Sequence, residues 1–334
     1  MSATKILLRV LVNTILGVIL IIIWLHFVDL SQIWKVISKV QVFKLIPVIL
    51  CLLASPVVRA IRLKLLINPI KKVPTMDMVF INGVATLLNF YIPIRGGEIA
   101  KGMILSKSYN LPLGKSLIWV FFDRFLDFLV VLIAVGILFF VVSTALSIKF
   151  IIVINIILIA ILILTYFLIY KPVFSKKIIK FLIPLLIFNS IKIYFKRVCN
   201  FFIDSFSILK RNPVEFLVLG LITALAYTAD AGVWYFTFLA INSNEAFISM
   251  YLAQMLSALT YLIPAAPGYV GSAEASGLLI LSGVFGIDKN LASAMIVLFH
   301  ILSAVFVLVF GLVSIYSLKI DLGLILRKAL RKGS

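Results

Sequence analysis

Acidic residues are scarce in this chain: 12 Asp and Glu stand against 31 Lys and Arg, and charged residues of both signs reach only 13% of 334 positions. A soluble domain carries about 25%, so a charged, water-facing surface is excluded. Cysteine is nearly absent. Cys51 and Cys199 have no metal-type or redox-type spacing, which leaves them as small packing residues, silent about redox compartment. His26 and His300 sit singly in apolar runs without a partner at metal-ligand spacing and read as core or interfacial residues. No nucleotide-binding loop, metal cluster or nucleophile elbow occurs, so we expect no ATP-driven pump, no cofactor, no metal and no catalytic residue.

What remains is apolar. Hydrophobic residues make up 63% of the chain, against about 45–50% in soluble domains. Crossing a bilayer takes about 20 apolar residues, and runs of that kind cover 6–28, 45–67, 117–142, 148–170, 214–241 and 291–318. The first run exceeds a signal-peptide core of about 7–15 residues and lacks a small-x-small cleavage site, so it reads as a retained helix. We expect an all-α, polytopic integral membrane protein forming a single transmembrane domain over 1–334. The longest polar interval, 171–211, mixes basic residues with Phe, Ile, Leu and Tyr at helical spacing, as an amphipathic connection on the cytoplasmic leaflet would. Trp24, Trp34 and Trp234 fit interfacial belts.

Two further apolar segments, 78–105 and 248–285, are each broken in the middle. The first carries Pro93, Gly96 and Gly97 before Glu98, and the second Pro264, Pro267, Gly268 and Gly271 before Glu274. Setting Pro93 on Pro264 aligns Phe80–Pro93 with Tyr251–Pro264 at an offset of 171. If both segments return to the side they leave, 25 of the 31 Lys and Arg gather on one side. If each crosses once, the large basic blocks fall on opposite sides, against the preference of cations for cytoplasmic loops. The expected architecture is therefore six spanning helices plus two re-entrant hairpins, eight membrane segments in all. They form two inverted repeats, 6–142 and 148–318, in the cytoplasmic membrane with both termini inside. Inverted repeats with broken helices at the midplane are the architecture of alternating-access transporters.

An ionised side chain at the bilayer centre costs about 2.5–3.5 kcal/mol on insertion scales, so the few present are candidates for substrate binding or coupling. Glu98 and Glu274 each open a helix after a glycine turn, as an anion-site partner or as a complement to the helix dipole. Protonation of either would be a coupling step. We expect the two to approach one another. Asp123 and Asp127 are four apart with Arg124 between them, either an internally neutralised helix clamp or a counter-charge for a headgroup. Arg59 and Arg62, three apart, suit a lipid phosphate or serve the topology rule, and Arg95 adds a cation at the first turn.

At these residues the chain resembles the lysylphosphatidylglycerol synthase transmembrane family, the flippase-like half of the multiple peptide resistance factor. The matching pieces are Arg59 with Arg62; Asn89 with Pro93, Arg95, Gly97 and Glu98; Asp123-Arg124-x-x-Asp127; and Pro267-Gly268-x-x-Gly271-x-x-Glu274, spread over essentially the whole chain. Asp123 stands where that family commonly has Glu. The resemblance implies a lipid translocase for a phosphorylated lipid, either a phospholipid or a polyprenyl-phosphate-linked one. With no soluble aminoacyl-transferase half before Ser334, the chain is expected not to make lysyl lipid. The expected partners are membrane lipids, anionic ones first, with a separate lipid-modifying enzyme or a second copy of the chain as further candidates and no nucleic acid. Two alternatives stay open: a membrane-embedded lipid-carrier glycosyltransferase, and a scaffold for a separate lipid synthase.

Overall fold

The computed structural model describes residues 3–91, 96–171, 213–260 and 266–319, with isolated positions between 172 and 212. Among the described residues there is no strand. The helices are α1 (Ala3–Phe27), α2 (Leu30–Ile37), α3 (Ile46–Ile67), α4 (Thr75–Tyr91), α5 (Gly96–Tyr109) and α6 (Leu113–Val141), followed by α7 (Ile148–Tyr170), α8 (Pro213–Ala240), α9 (Phe247–Thr260), α10 (Ser272–Leu278) and α11 (Lys289–Ser317). Residues 171–211, read above as an amphipathic connection, lie almost wholly outside the described residues, as do Pro93, Arg95 and Pro264.

Among the described residues, five helical stretches are long and apolar enough to cross a membrane: Val42–Ile67, Leu113–Val141, Ile148–Phe167, Val214–Ala240 and Lys289–Ser317. They coincide with five of the six expected spans. In the remaining one, Thr14–Phe27 is bent by 87° from Leu30–Ile37. Asp29 makes the corner, its carboxylate accepting the amides of Ser31 and Gln32 to cap α2. The Ser31 bonds hold that exposed carboxyl below its ordinary pKa. The corner is fastened to the start of α11, where the Asp29 amide donates to Asn290 Oδ1 at 2.9 Å and Trp24 Nε1 to Ser293 Oγ at 3.1 Å. Sequence periodicity did not foresee α2, because eight residues are too few to stand out beside a 25-residue helix.

Cα proximity divides the chain into a unit of Met1–Leu146 with Leu221–Ser334 and a unit of Ser147–Gly220, the latter holding α7 and the first turns of α8. All that follows concerns the larger unit. Its α4 and α5 form a helical hairpin. The Tyr109 hydroxyl donates to Asp77 Oδ2 at 2.5 Å, so the last residue of α5 lies beside the first turn of α4. At the tip, the Gly97 amide donates to Asn89 Oδ1 at 2.9 Å. A Cβ at Gly97 would stand 1.9 Å from the Ala85 carbonyl oxygen, so only glycine allows this approach. The second punctuated segment also folds back, since Met250 and Ala253 of α9 share a core cluster with Ile280 and Leu281 beyond α10. Its turn, Pro267–Tyr269, and the cap residue before α10 use positive φ, at Gly268 (70°) and Gly271 (80°). A Cβ at Gly271 would lie 2.1 Å from the Gly17 carbonyl oxygen of α1. Helix α4 packs on α11 through small residues, with Gly83 against Ser314 and Gly311 against Leu87.

Candidate functional site

Helices α3 and α6 bring charge into the interior together. Asp123 and Asp127 lie one turn apart on α6, and Arg62 of α3 bridges them, Nε to Asp123 Oδ1 at 2.8 Å and Nη1 to Asp127 Oδ1 at 2.5 Å. The same Nη1 donates to Thr223 Oγ1 at 2.8 Å. The Arg62 and Asp123 side chains are 0% exposed, so this pair is a clamp behind the cavity wall. One turn earlier on α3, Arg59 donates to Ser55 and to Asp230 of α8, with Nη2 to Oδ2 at 2.6 Å, and lies over the Tyr227 ring at 5.1 Å. Its Nε is 4.0 Å from Asp127 Oδ1.

From the first hairpin tip, Glu98 joins the network. Its Oε1 accepts from Asn89 Nδ2 at 3.1 Å and lies 3.7 Å from Arg124 Nε, while Oε2 is 3.2 Å from Lys101 Nζ. Arg124 also reaches Asp123 Oδ2 at 2.9 Å and Asp127 Oδ2 at 3.0 Å. Four cations, Arg59, Arg62, Lys101 and Arg124, thus face four carboxylates, Glu98, Asp123, Asp127 and Asp230. Balance is what lets so many charges sit among apolar helices, since an unpaired one costs several kcal/mol, roughly 3–5 on breaking a buried pair.

The network lines a cavity of about 400 Å³. Arg59, Glu98, Lys101, Arg124, Asp127 and Asp230 stand on its wall, and aromatic rings including Phe90, Phe299, Phe306 and Phe310 line it too. Among the described residues, five that line it hold a buried polar atom with no hydrogen-bond partner: Asn82 Oδ1, Glu98 Oε2, Arg124 Nε, Gln254 Oε1 and Ser303 Oγ. Native interiors leave few such atoms unsatisfied. At 29%, Arg124 is the most exposed side chain of the network. An incoming phosphate would compete with Glu98 for Arg124, while hydroxyl or ammonium donors would meet the free amide oxygens of Asn82 and Gln254.

At the second turn, Glu274 is partnered by His300 of α11, Nδ1 to Oε1 at 2.5 Å, and His300 Nε2 is 2.7 Å from the Gly268 carbonyl oxygen. Glu274 Oε2 accepts the Gly271 amide at 2.7 Å. Phe90, next to Asn89, touches both Tyr269 and His300, at centroid distances of 6.0 and 6.3 Å.

Of the residues singled out from sequence, Arg59, Asn89, Glu98, Arg124 and Asp127 therefore line one cavity, Arg62 and Asp123 brace it, and Glu274 sits in a separate bonded group at the second turn. Gly96 starts α5, Gly97 closes its tip against α4, and Pro267, Gly268 and Gly271 shape the second turn. Sequence reasoning assigned no role to Lys101, Tyr227, Asp230, Gln254 or Ser303, nor any partners to His300. A signal existed for Asp230, which follows Arg59 by the same 171 residues that align the two prolines. For His300 there was one too, because it follows Glu274 by the 26 residues that separate Arg124 from Glu98.

Fold and site define a polytopic helical membrane protein with two helical hairpins around a charge-balanced cavity. The family model described as the lysylphosphatidylglycerol synthase TM region matches residues 6–311, and the chain belongs to that family. The family is a membrane domain, consistent with a lipid-related membrane function. No curated protein matches the chain.

Proposed function

We propose that the protein is a lipid translocase rather than an enzyme, moving a phosphorylated phospholipid or polyprenyl-phosphate-linked lipid across the cytoplasmic membrane. The observation that carries this reading is the cavity of about 400 Å³ whose wall is charged and whose Asn82, Arg124, Gln254 and Ser303 keep unbonded polar atoms. In this reading the helical hairpins re-enter the membrane from opposite faces, the two halves are inverted repeats, and both termini are cytoplasmic. Support comes from the Asp77–Tyr109 closure, from the 171-residue offset of the Arg59–Asp230 pair, and from the common 26-residue spacing of Glu98–Arg124 and Glu274–His300. Arg59 and Arg124 would take the phosphate as it displaces Glu98 and Asp230, and anionic lipids would be the usual cargo.

Dithionite quenching of fluorescent phosphatidylglycerol in proteoliposomes tests this. Protein-dependent loss of inner-leaflet fluorescence is expected, slowed at least about tenfold, the equivalent of 1.4 kcal/mol, by Arg124→Gln. Quenching that stops at the outer leaflet with wild-type protein, for fluorescent phosphatidylglycerol and for a fluorescent polyprenyl-phosphate lipid alike, or that is unaltered by Arg124→Gln together with Glu98→Gln, would refute it.

A further inference from the structure

The two glutamates that follow the turns have different company. Glu98 is held by an amide and two basic side chains, Asn89, Lys101 and Arg124. Among the described residues, the bonds of Glu274 run instead to a histidine and a backbone amide. Donor counting around His300 decides what that means. The Gly268 oxygen is a carbonyl and only accepts, so Nε2, at 2.7 Å, carries a hydrogen. A second hydrogen must lie between Nδ1 and Glu274 Oε1, because two bare acceptors repel at 2.5 Å. A neutral imidazole has one N–H. The arrangement therefore holds one proton more than a carboxylate beside a neutral histidine, whether that proton is drawn on Nδ1 or on Oε1.

Removing the proton leaves a single N–H for two acceptors. Either Nδ1 loses Glu274 or Nε2 loses Gly268, and in both cases the tie from α11 to the second turn is broken. That turn is already poised on positive φ at Gly268, Tyr269 and Gly271, and it touches α1 at Gly17 and α4 at Phe90. On the elements packed around the pair, the titratable and charged groups include Tyr269 in the turn, Lys289 and Tyr316 on α11, Tyr91 and Asp77 on α4, Tyr251 on α9, His26 on α1, Lys35 on α2, and Arg59 and Arg62 on α3. Asp77 and Tyr251 are engaged by Tyr109 and by the Ala224 carbonyl.

We infer that Glu274, His300 and the Gly268 carbonyl form a proton-binding site whose occupancy ties the second turn to α11 and whose release frees it. Resting on the translocase reading, this makes a proton the ion coupled to lipid movement, taken up at the second hairpin while Glu98 stays ionised at the first.

Because the chain has only two histidines, protein labelled with ¹⁵N in its imidazole rings gives two residues' signals, and His300→Gln assigns them. At neutral pH the His300 ring should show hydrogens shared at both nitrogens and lose one of them as pH rises, and Glu274→Gln should abolish that second hydrogen. Hydrogen exchange of residues 266–278, corrected for intrinsic rate, should accelerate in wild type over the same pH range and be fast throughout in Glu274→Gln and His300→Gln. A neutral, singly protonated His300 indifferent to Glu274→Gln, or exchange of the turn independent of pH, would overturn the site. In the proteoliposome assay an inward pH gradient should speed wild-type lipid movement, a component lost in Glu274→Gln. Lipid movement indifferent to the gradient in both proteins overturns the coupling. Absence of lipid movement with both spectroscopic results intact removes the translocase reading and leaves the proton site standing.

Discussion

Asp123→Asn is the sharpest probe of the charge network, because its side chain is wholly buried and bonded to two guanidinium groups at 2.8 and 2.9 Å. The substitution keeps the shape and removes one charge, leaving four cations against three carboxylates. Breaking a buried pair from one side costs about 3–5 kcal/mol, and two lost charge-assisted bonds at about 1.5–3 kcal/mol each give a similar figure. On the scale of 2–4 °C per kcal/mol for a domain of 150–250 residues, the melting temperature should fall on the order of 10 °C. Heating detergent-solubilised protein and measuring the monodisperse fraction by fluorescence size-exclusion chromatography reads this directly. The decisive variant is the double, Asp123→Asn with Arg62→Met, which restores charge balance and should recover at least about half of the loss through a coupling of order 1–3 kcal/mol. A single variant within about 1 kcal/mol of wild type, or a double whose losses simply add, would refute the view that the network is held by balance.

Three further variants probe the packing around the site. Gly97→Ala should destabilise the first hairpin by about 1–3 kcal/mol through overpacking, since its Cβ would collide with the Ala85 carbonyl, whereas Gly114→Ala, open on all sides within 4 Å, should be neutral or stabilising in the same melting assay. Trp24→Phe removes the indole bond to Ser293 and should cost about 1 kcal/mol, and equal melting of the two proteins would show that the α1–α2 corner is not fastened there.

Much of the fold is legible in one dimension. A bilayer demands about 20 apolar residues per crossing, and five runs picked on that ground return as helices within a few residues of their expected ends. Pro and Gly at membrane depth marked both breaks, because a freed backbone amide there needs a partner. For Gly97 that partner is Asn89. The corner at Asp29 was not legible, since it depends on a cap and on Asn290, 261 residues away.

Site membership divides the same way. The sequence by itself determined that this is an α-helical membrane protein, that its ionisable interior residues are few, and that Glu98, Asp123, Arg124, Asp127 and Glu274 are among them. Scarcity does that work, because each buried charge must be accounted for. Only the tertiary structure decided the pairing. Arg62 meets Asp123 and Asp127 across 61 and 65 residues, Arg59 meets Asp230 across 171, and His300 is a core residue bonded at both ring nitrogens, to Glu274 and to the Gly268 carbonyl. Hydrogen bonds act over about 3 Å, while helix periodicity reports only the face a residue occupies. Which faces come together is set by packing, here by Gly83, Gly97, Gly271 and Gly311 letting backbones close to contact.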